Sequence, residues 1–182
     1  MTNGFAATSV DQILEDSGSS KGAFFHHFDS KRSLARALVQ RYVDADLAML
    51  DRGLEAAAEV SDPVDRVLAF VRFYEGWAED LVAEDTSCLY IAVLSERELL
   101  DPETRGEIDR GVRGWRVAFA ELLRAGLDAA GVAEGPDPED LADHLFATFE
   151  GSFLMCRLEG SPEPMRAQLR VLRQLVEALL RR

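Results

Sequence analysis

The groups best suited to meeting a polyanion sit in one short run, S-S-K-G-A-F-F-H-H-F-D-S-K, from Ser19 to Lys31. Lys21 and Lys31 bring charge and His26 and His27 bring ring donors. Phe25 brings an apolar ring, and Ser20 and Gly22 are small enough to allow close approach. Taken singly, each of these is an ordinary solvated residue on a helical surface. Set together on a short helix after a capped turn, they make an aromatic, basic and small-residue face, poor material for a core and suited to a groove in DNA. Elsewhere, chemistry-bearing residues are scattered. The chain has three histidines and two cysteines, and His144 lies beside Asp140 and Asp143 with no nucleophile at supporting spacing. Cys88 and Cys156 are far apart and have no metal-ligand spacing, so both are expected as buried free thiols. No catalytic residue, metal site or cofactor is assigned, and the chain is not expected to be an enzyme.

The elements that must position this run are helical. Thr8 or Ser9 can cap a helix carrying Val10, Ile13 and Leu14 on one face, because a side-chain oxygen there accepts from the unpaired first amides. Gly18 can take the left-handed geometry that ends it, and Ser19 or Ser20 caps the next short helix, Lys21 to Phe28. Within that helix Phe24 and Phe28, four apart, form the inward pair. A long connecting helix follows from Ser30 to about Ala58. Further helices are predicted from Val64 to about Val82, within Cys88 to Leu100, from Asp101-Pro102 to about Ala130, from Pro138 to about Leu158 and from Pro164 to Leu180. Gly106, Gly111 and Gly114 thin the long helix after Asp101, where close packing or a slight bend is expected. No stretch alternates as a half-buried strand does, so the fold class is all-α.

Composition is that of a globular protein, with 47% hydrophobic and 29% charged residues. No apolar run approaches the ~20 residues of a membrane helix and no signal segment opens the chain, so no membrane partner is expected and the default location is cytoplasmic. The formal net charge of −13 argues at first sight against nucleic acid. Its distribution weakens that objection: Met1 to Arg52 sums to −1, and between Ser17 and Arg41 five basic residues face the single Asp29. The acidity therefore belongs to the rest of the chain.

The run T-S-V-x-x-I-L-x-x-S-G-S-S-K-G-A-F-F-H-H-F-x-S-K-R-S-L resembles the DNA-binding segment of the TetR family of bacterial transcriptional regulators. In that family T-x-x-x-I-A-x-x-A-G-V-S-K-G-x-x-Y-x-H-F-x-S-K-x-x-L builds a helix-turn-helix head. The resemblance implies a head over 1–45 and a helical ligand-binding and dimerisation body over 46–182. It implies phosphate contacts from Thr8 and Lys31, beside the cap Ser9, and a groove-entering end formed by Ser20, Lys21 and Gly22. Phe25 stands where the family commonly has Tyr, losing one phosphate hydrogen bond, and His26 is expected at phosphate or base. Met1 to Ala7, with Gly4-Phe5 matching the close of the family's first helix, implies a head truncated at its N-terminus.

For the body, the aromatic residues read first as core. The resemblance raises a small-molecule pocket among them, with Phe73, Tyr74, Trp77, Tyr90, Trp115, Phe119 and Phe149 as candidate lining residues. It also implies a homodimer through the last two helices, with Phe153, Leu169, Leu172, Leu175, Val176 and Leu179 as the expected seam. The function implied is a repressor released from a double-stranded DNA operator by a small apolar or aromatic inducer. The alternative is a truncated or degenerate regulator that dimerises or binds ligand without binding DNA.

Overall fold

The computed structural model describes residues 8–82, 88–96 and 99–181. Met1 to Ala7, and with them the Gly4-Phe5 pair, lie outside the described residues. Among those described the chain is all-α, with eight helices and no strand: α1 (Val10–Ser17), α2 (Lys21–His27), α3 (Lys31–Ala58), α4 (Pro63–Val82), α5 (Leu89–Ser95), α6 (Pro102–Ala130), α7 (Pro138–Glu159) and α8 (Glu163–Leu180).

Local chemistry sets most of these boundaries. Ser9, rather than Thr8, caps α1, its hydroxyl accepting from the Gln12 amide at 3.1 Å. Gly18 closes α1 at φ 64°, a conformation that costs a residue with a Cβ. Ser20 caps α2 by accepting from the Ala23 amide at 3.1 Å. Ser30 and Ser33 form a reciprocal capping box at the start of α3. Asp101 and Asp137 cap α6 and α7, each followed by a proline in the first turn.

In the body α3, α4, α6, α7 and α8 pack on one another around a single apolar core. Phe70 of α4 stacks on Phe119 of α6 with centroids 5.3 Å apart, and both are essentially inaccessible. Close approach occurs at two of the three glycines in the first half of α6. A Cβ on Gly111 would stand 2.3 Å from the Tyr90 hydroxyl, and one on Gly114 would stand 2.5 Å from Leu47, whereas Gly106 faces open space.

The expected dimer seam is corrected by where its leucines point. Leu169, Leu172, Val176 and Leu179 are buried in the chain's own core. The 3–4 spacing of that stripe marks the face α8 turns inward, toward α4 and α7. Phe153 is likewise buried, and only Leu175, 59% exposed, points outward. The apolar surface that the last two helices leave uncovered is instead Leu154 (69%), Met155 (42%) and Leu158 (85%) on α7 with Val171 and Leu175 on α8. Helix α7 is thus apolar on both sides, with Leu145, Phe149 and Phe153 facing in and Leu154 and Leu158 facing out. Among the described residues no helix is long and apolar enough to cross a membrane.

Candidate functional site

Two places in the fold gather functional side chains, and α3 connects them. The first is the head. Leu14 and Phe24 are its buried side chains on α1 and α2, with Phe28 tilted against Phe24 at 5.7 Å. This packing leaves Ser20, Lys21, Gly22, Phe25, His26 and His27 exposed along α2. A Cβ on Gly22 would meet only the Ser20 hydroxyl, 4.0 Å away, so its surface is open. The His26 and His27 rings stand edge to face at 4.9 Å. Lys21 lies 3.8 Å from Asp11, with both side chains largely in water, a pairing that contributes little. Lys31 is placed differently from a simple phosphate contact: its ammonium donates to the Thr8 carbonyl at 2.8 Å. It therefore ties the start of α1 to the start of α3.

Helix α3 then runs without a break across residue 45, the expected edge of the head. Arg36 on its second turn meets Asp101, the α6 cap, at 2.7 Å and also pairs with Glu103. The amide of Thr104 and then the guanidinium of Arg36 hold the Asp101 carboxyl down to about 2.

Two turns further on, α3 reaches the second place, a cavity of about 70 Å³. Its lining comprises Tyr42 and Asp46 from α3, Cys88 and Tyr90 at the start of α5, Trp115 from α6, and Ala142, Leu145, Phe146, Phe149, Glu150 and Phe153 from α7. Its polar atoms fall into two hydrogen-bonded chains, each ending on a carboxylate. The Tyr90 hydroxyl donates to Asp46 Oδ2 at 2.6 Å, and the Trp115 indole N–H donates to the same oxygen at 2.9 Å. The Tyr42 hydroxyl donates to Cys88 Sγ at 3.7 Å, and the thiol donates to Glu150 Oε1 at 3.0 Å. Glu150 Oε2 is buried without a hydrogen-bond partner.

The electrostatics follow from burial. Withdrawal from water raises the Asp46 carboxyl above its ordinary value, and the bonds from Tyr90 and Trp115 offset part of that rise. Burial also raises Glu150; its bond from Cys88 opposes the shift and the charge of Asp46 adds to it. The Cys88 thiol is pushed up to about 12 by burial and by Glu150, so it is a proton donor here and not a thiolate nucleophile. Burial raises Tyr42 and Tyr90 as well, which keeps both phenols protonated as donors.

Of the aromatic residues expected at a pocket, Tyr90, Trp115 and Phe149 line this cavity, and Phe153, expected at the dimer seam, joins them. The other four lie elsewhere. Phe119 is locked against Phe70. Tyr74 sits one layer behind the wall, 5.1 Å from Trp115, with its hydroxyl donating to the Met49 carbonyl. Phe73 packs between Tyr74 and Trp77, and Trp77 lies under the Arg52 guanidinium at 5.4 Å. Tyr42, Asp46, Cys88 and Glu150 were not singled out as lining from sequence. A signal was present: Tyr42 and Asp46 are four apart, and Phe146, Phe149, Glu150 and Phe153 repeat at helical spacing with a carboxylate among aromatics. Among the described residues no group of three or more His, Cys, Asp or Glu could hold a metal ion.

Sequence comparison adds to this geometry. The family model described as "Bacterial regulatory proteins, tetR family" matches residues 1–38, and "Tetracyclin repressor-like, C-terminal domain" matches residues 63–172. The transcriptional regulator AcuR of Cereibacter sphaeroides is 26% identical over 167 residues, covering 90% of this chain and 74% of that protein. The HTH-type transcriptional repressor DhaR of Mycobacterium sp. is 25% identical over 180 residues, covering 99% and 86%. Among solved structures, a TetR regulatory protein from Rhodobacter sphaeroides superposes with a TM-score of 0.74 at 25% identity, covering 93% of this chain and 88% of the other. The reduced form of Escherichia coli NemR shares the fold, with a TM-score of 0.68 at 23% identity over 94% and 87% of the two chains. With a helix-turn-helix head, a helical body and both family models matched, the chain belongs to the TetR family of DNA-binding bacterial transcriptional regulators and is not an enzyme.

Proposed function

We propose that this chain is a homodimeric, cytoplasmic repressor whose hold on its operator is set by a small molecule with an apolar or aromatic body. The observation that carries the reading is α3. Its first turn is capped within the head and held to α1 through Lys31, while Tyr42 and Asp46, three and four turns on, line the cavity. A ligand pressing on Tyr42 or Asp46 therefore displaces an element that is also tied to the start of α1, the helix on which α2 packs. The Arg36–Asp101 pair also joins the second turn of α3 to the cap of α6. A coupling of ~1–3 kcal/mol between cavity and head is enough for a useful change in operator occupancy.

Dimerisation supplies the second half of the reader. One short α2 spans one half-site, and two copies related by a two-fold axis span adjacent turns of the duplex. The uncovered patch of Leu154, Met155, Leu158, Val171 and Leu175 supports a four-helix contact between the α7–α8 pairs of two chains. Ser9, Ser20, Lys21, Gly22, Phe25 and His26 then face DNA, while Thr8 and Lys31 act by setting the angle between α1 and α3. The test is fluorescence anisotropy of the full chain on a labelled duplex taken from upstream of its own gene, against a scrambled duplex. Selective binding that weakens steeply with salt is expected. Equal affinity for both duplexes overturns the reading.

A further inference from the structure

We propose that the cavity takes a compact protonated amine, its N–H groups donating to Glu150 and Asp46 and its apolar part packed on the surrounding rings. The inference rests on the reading of this cavity as the effector site and adds the sign of the effector's charge.

Three observations carry it. First, the lining holds two carboxylates, and no lysine, arginine or histidine is among the described residues that form it. A carboxylate drawn out of water without a cation is costly, and here two half-buried ones line one cavity. Second, the polar contacts are unbalanced in one direction. Every side-chain donor in the wall is already committed: Tyr90 and Trp115 to Asp46, Tyr42 to Cys88, and Cys88 to Glu150. The oxygens are not. Both bonds to Asp46 fall on Oδ2, and Glu150 Oε2 is buried with no partner at all. What the site lacks is a donor, preferably a charged one. A carboxylate or phosphate would meet two like charges and no available N–H or O–H, so the wall repels the anions that an arginine-lined pocket would hold.

Third, the remaining wall suits a cation's apolar body. Tyr42 and Tyr90 stand edge to face at 5.2 Å, Tyr90 lies 6.3 Å from Phe146, and Trp115 lies 6.3 Å from Phe149. Aromatic faces attract a cation within about 6 Å, most strongly when water is excluded. The volume of about 70 Å³ limits the occupant to a compact head carrying few heavy atoms. The burial that raises both carboxyls in the empty protein is the same cost that an entering ammonium offsets.

The test uses the full chain and three compounds of nearly one shape: tert-butylammonium, tert-butanol and pivalate. Binding is followed by calorimetry and by quenching of Trp fluorescence at constant ionic strength. Tert-butylammonium is expected to bind at least about tenfold tighter than the alcohol, the weight of one charge-assisted hydrogen bond, and pivalate not measurably. In Glu150→Gln the advantage of the ammonium over the alcohol should collapse. Asp46→Asn serves as a second variant, and thermal melting checks that each is folded. The proposal is overturned if the alcohol or pivalate binds as tightly as the ammonium, if the ammonium does not bind, or if its advantage survives in both folded variants. Operator release by a neutral or anionic compound would leave the effector-site reading standing while overturning the amine.

Discussion

Replacing Gly111 with alanine should damage the cavity from behind. A Cβ there would lie 2.3 Å from the Tyr90 hydroxyl, 3.1 Å from the ring carbon bearing it and 3.3 Å from Val43 Cγ1. Ordinary contact begins near 3.4 Å, so the hydroxyl must retreat by roughly one ångström. It cannot do so and keep its 2.6 Å bond to Asp46, and the ring is itself buried against Tyr42. Losing a hydrogen bond to a charged group costs about 1.5–3 kcal/mol. Overpacking adds roughly 1–3 kcal/mol, and alanine's better helix propensity returns about 1 kcal/mol. The net is a destabilisation of about 1.5–5 kcal/mol, or a melting point lower by roughly 3–20 °C for a domain of this size. Gly106→Ala on the same helix meets nothing within 4 Å and should be neutral or raise stability by up to ~1 kcal/mol. Thermal unfolding of the two variants side by side measures the difference, and adding Tyr90→Phe to Gly111→Ala should recover part of the loss. If Gly111→Ala melts with or above Gly106→Ala, the close packing of Tyr90 on α6 is wrong.

Other outcomes follow from the same geometry. Leu158→Glu, at a position 85% exposed in the single chain, should leave the protomer folded. It should yield monomers in sedimentation experiments, since each buried leucine contributes ~1.5–3 kcal/mol and a two-fold contact counts it twice. Phe25→Tyr restores a hydroxyl at the exposed α2 surface and should tighten operator binding severalfold through about 1 kcal/mol of hydrogen bonding, with no change in stability. The raised carboxyls of Asp46 and Glu150 give a pH signature. The folded chain holds protons there that the unfolded chain releases, so their contribution to stability is full below about pH 4 and falls as pH rises through the folded values. This component of the unliganded protein's stability should therefore grow as pH falls from the folded values toward about 4, and the Asp46→Asn, Glu150→Gln double variant should lack it. Asp101 works in the opposite sense and at lower pH, its contribution disappearing only as pH falls toward about 2.

How far these features were legible in sequence depends on what kind of physics sets them. Helix ends were readable because they are local: Ser20, Ser30 and Asp101 accept from amides three residues on, and Gly18 carries the left-handed turn within its own backbone. The identity of the head was readable for the same reason. Depth was not. Periodicity shows which residues of α8 share a face, but Leu172 and Leu175 are both apolar, and only the neighbours decide that the first is buried and the second exposed. The cavity was half legible. Trp115 and Phe119 lie on one helix, and only the partner of each, Asp46 for the indole and Phe70 for the phenyl ring, separates the wall from the core. Asp46 and Glu150 could have been noticed as acids lying at helical spacing from aromatics. That they share one enclosure depends on α3 and α7 meeting, which local pattern does not encode.

The most direct test of the central claim is the operator affinity of the full chain with and without a compound that Trp fluorescence shows to occupy the cavity. Anisotropy on the upstream duplex at fixed salt should give a Kd weakened about 5- to 150-fold when the cavity is filled, the range of a 1–3 kcal/mol coupling. The same compound should leave the affinity of the Asp46→Asn, Glu150→Gln variant little changed. An operator affinity that is identical with the cavity empty and full would contradict the account.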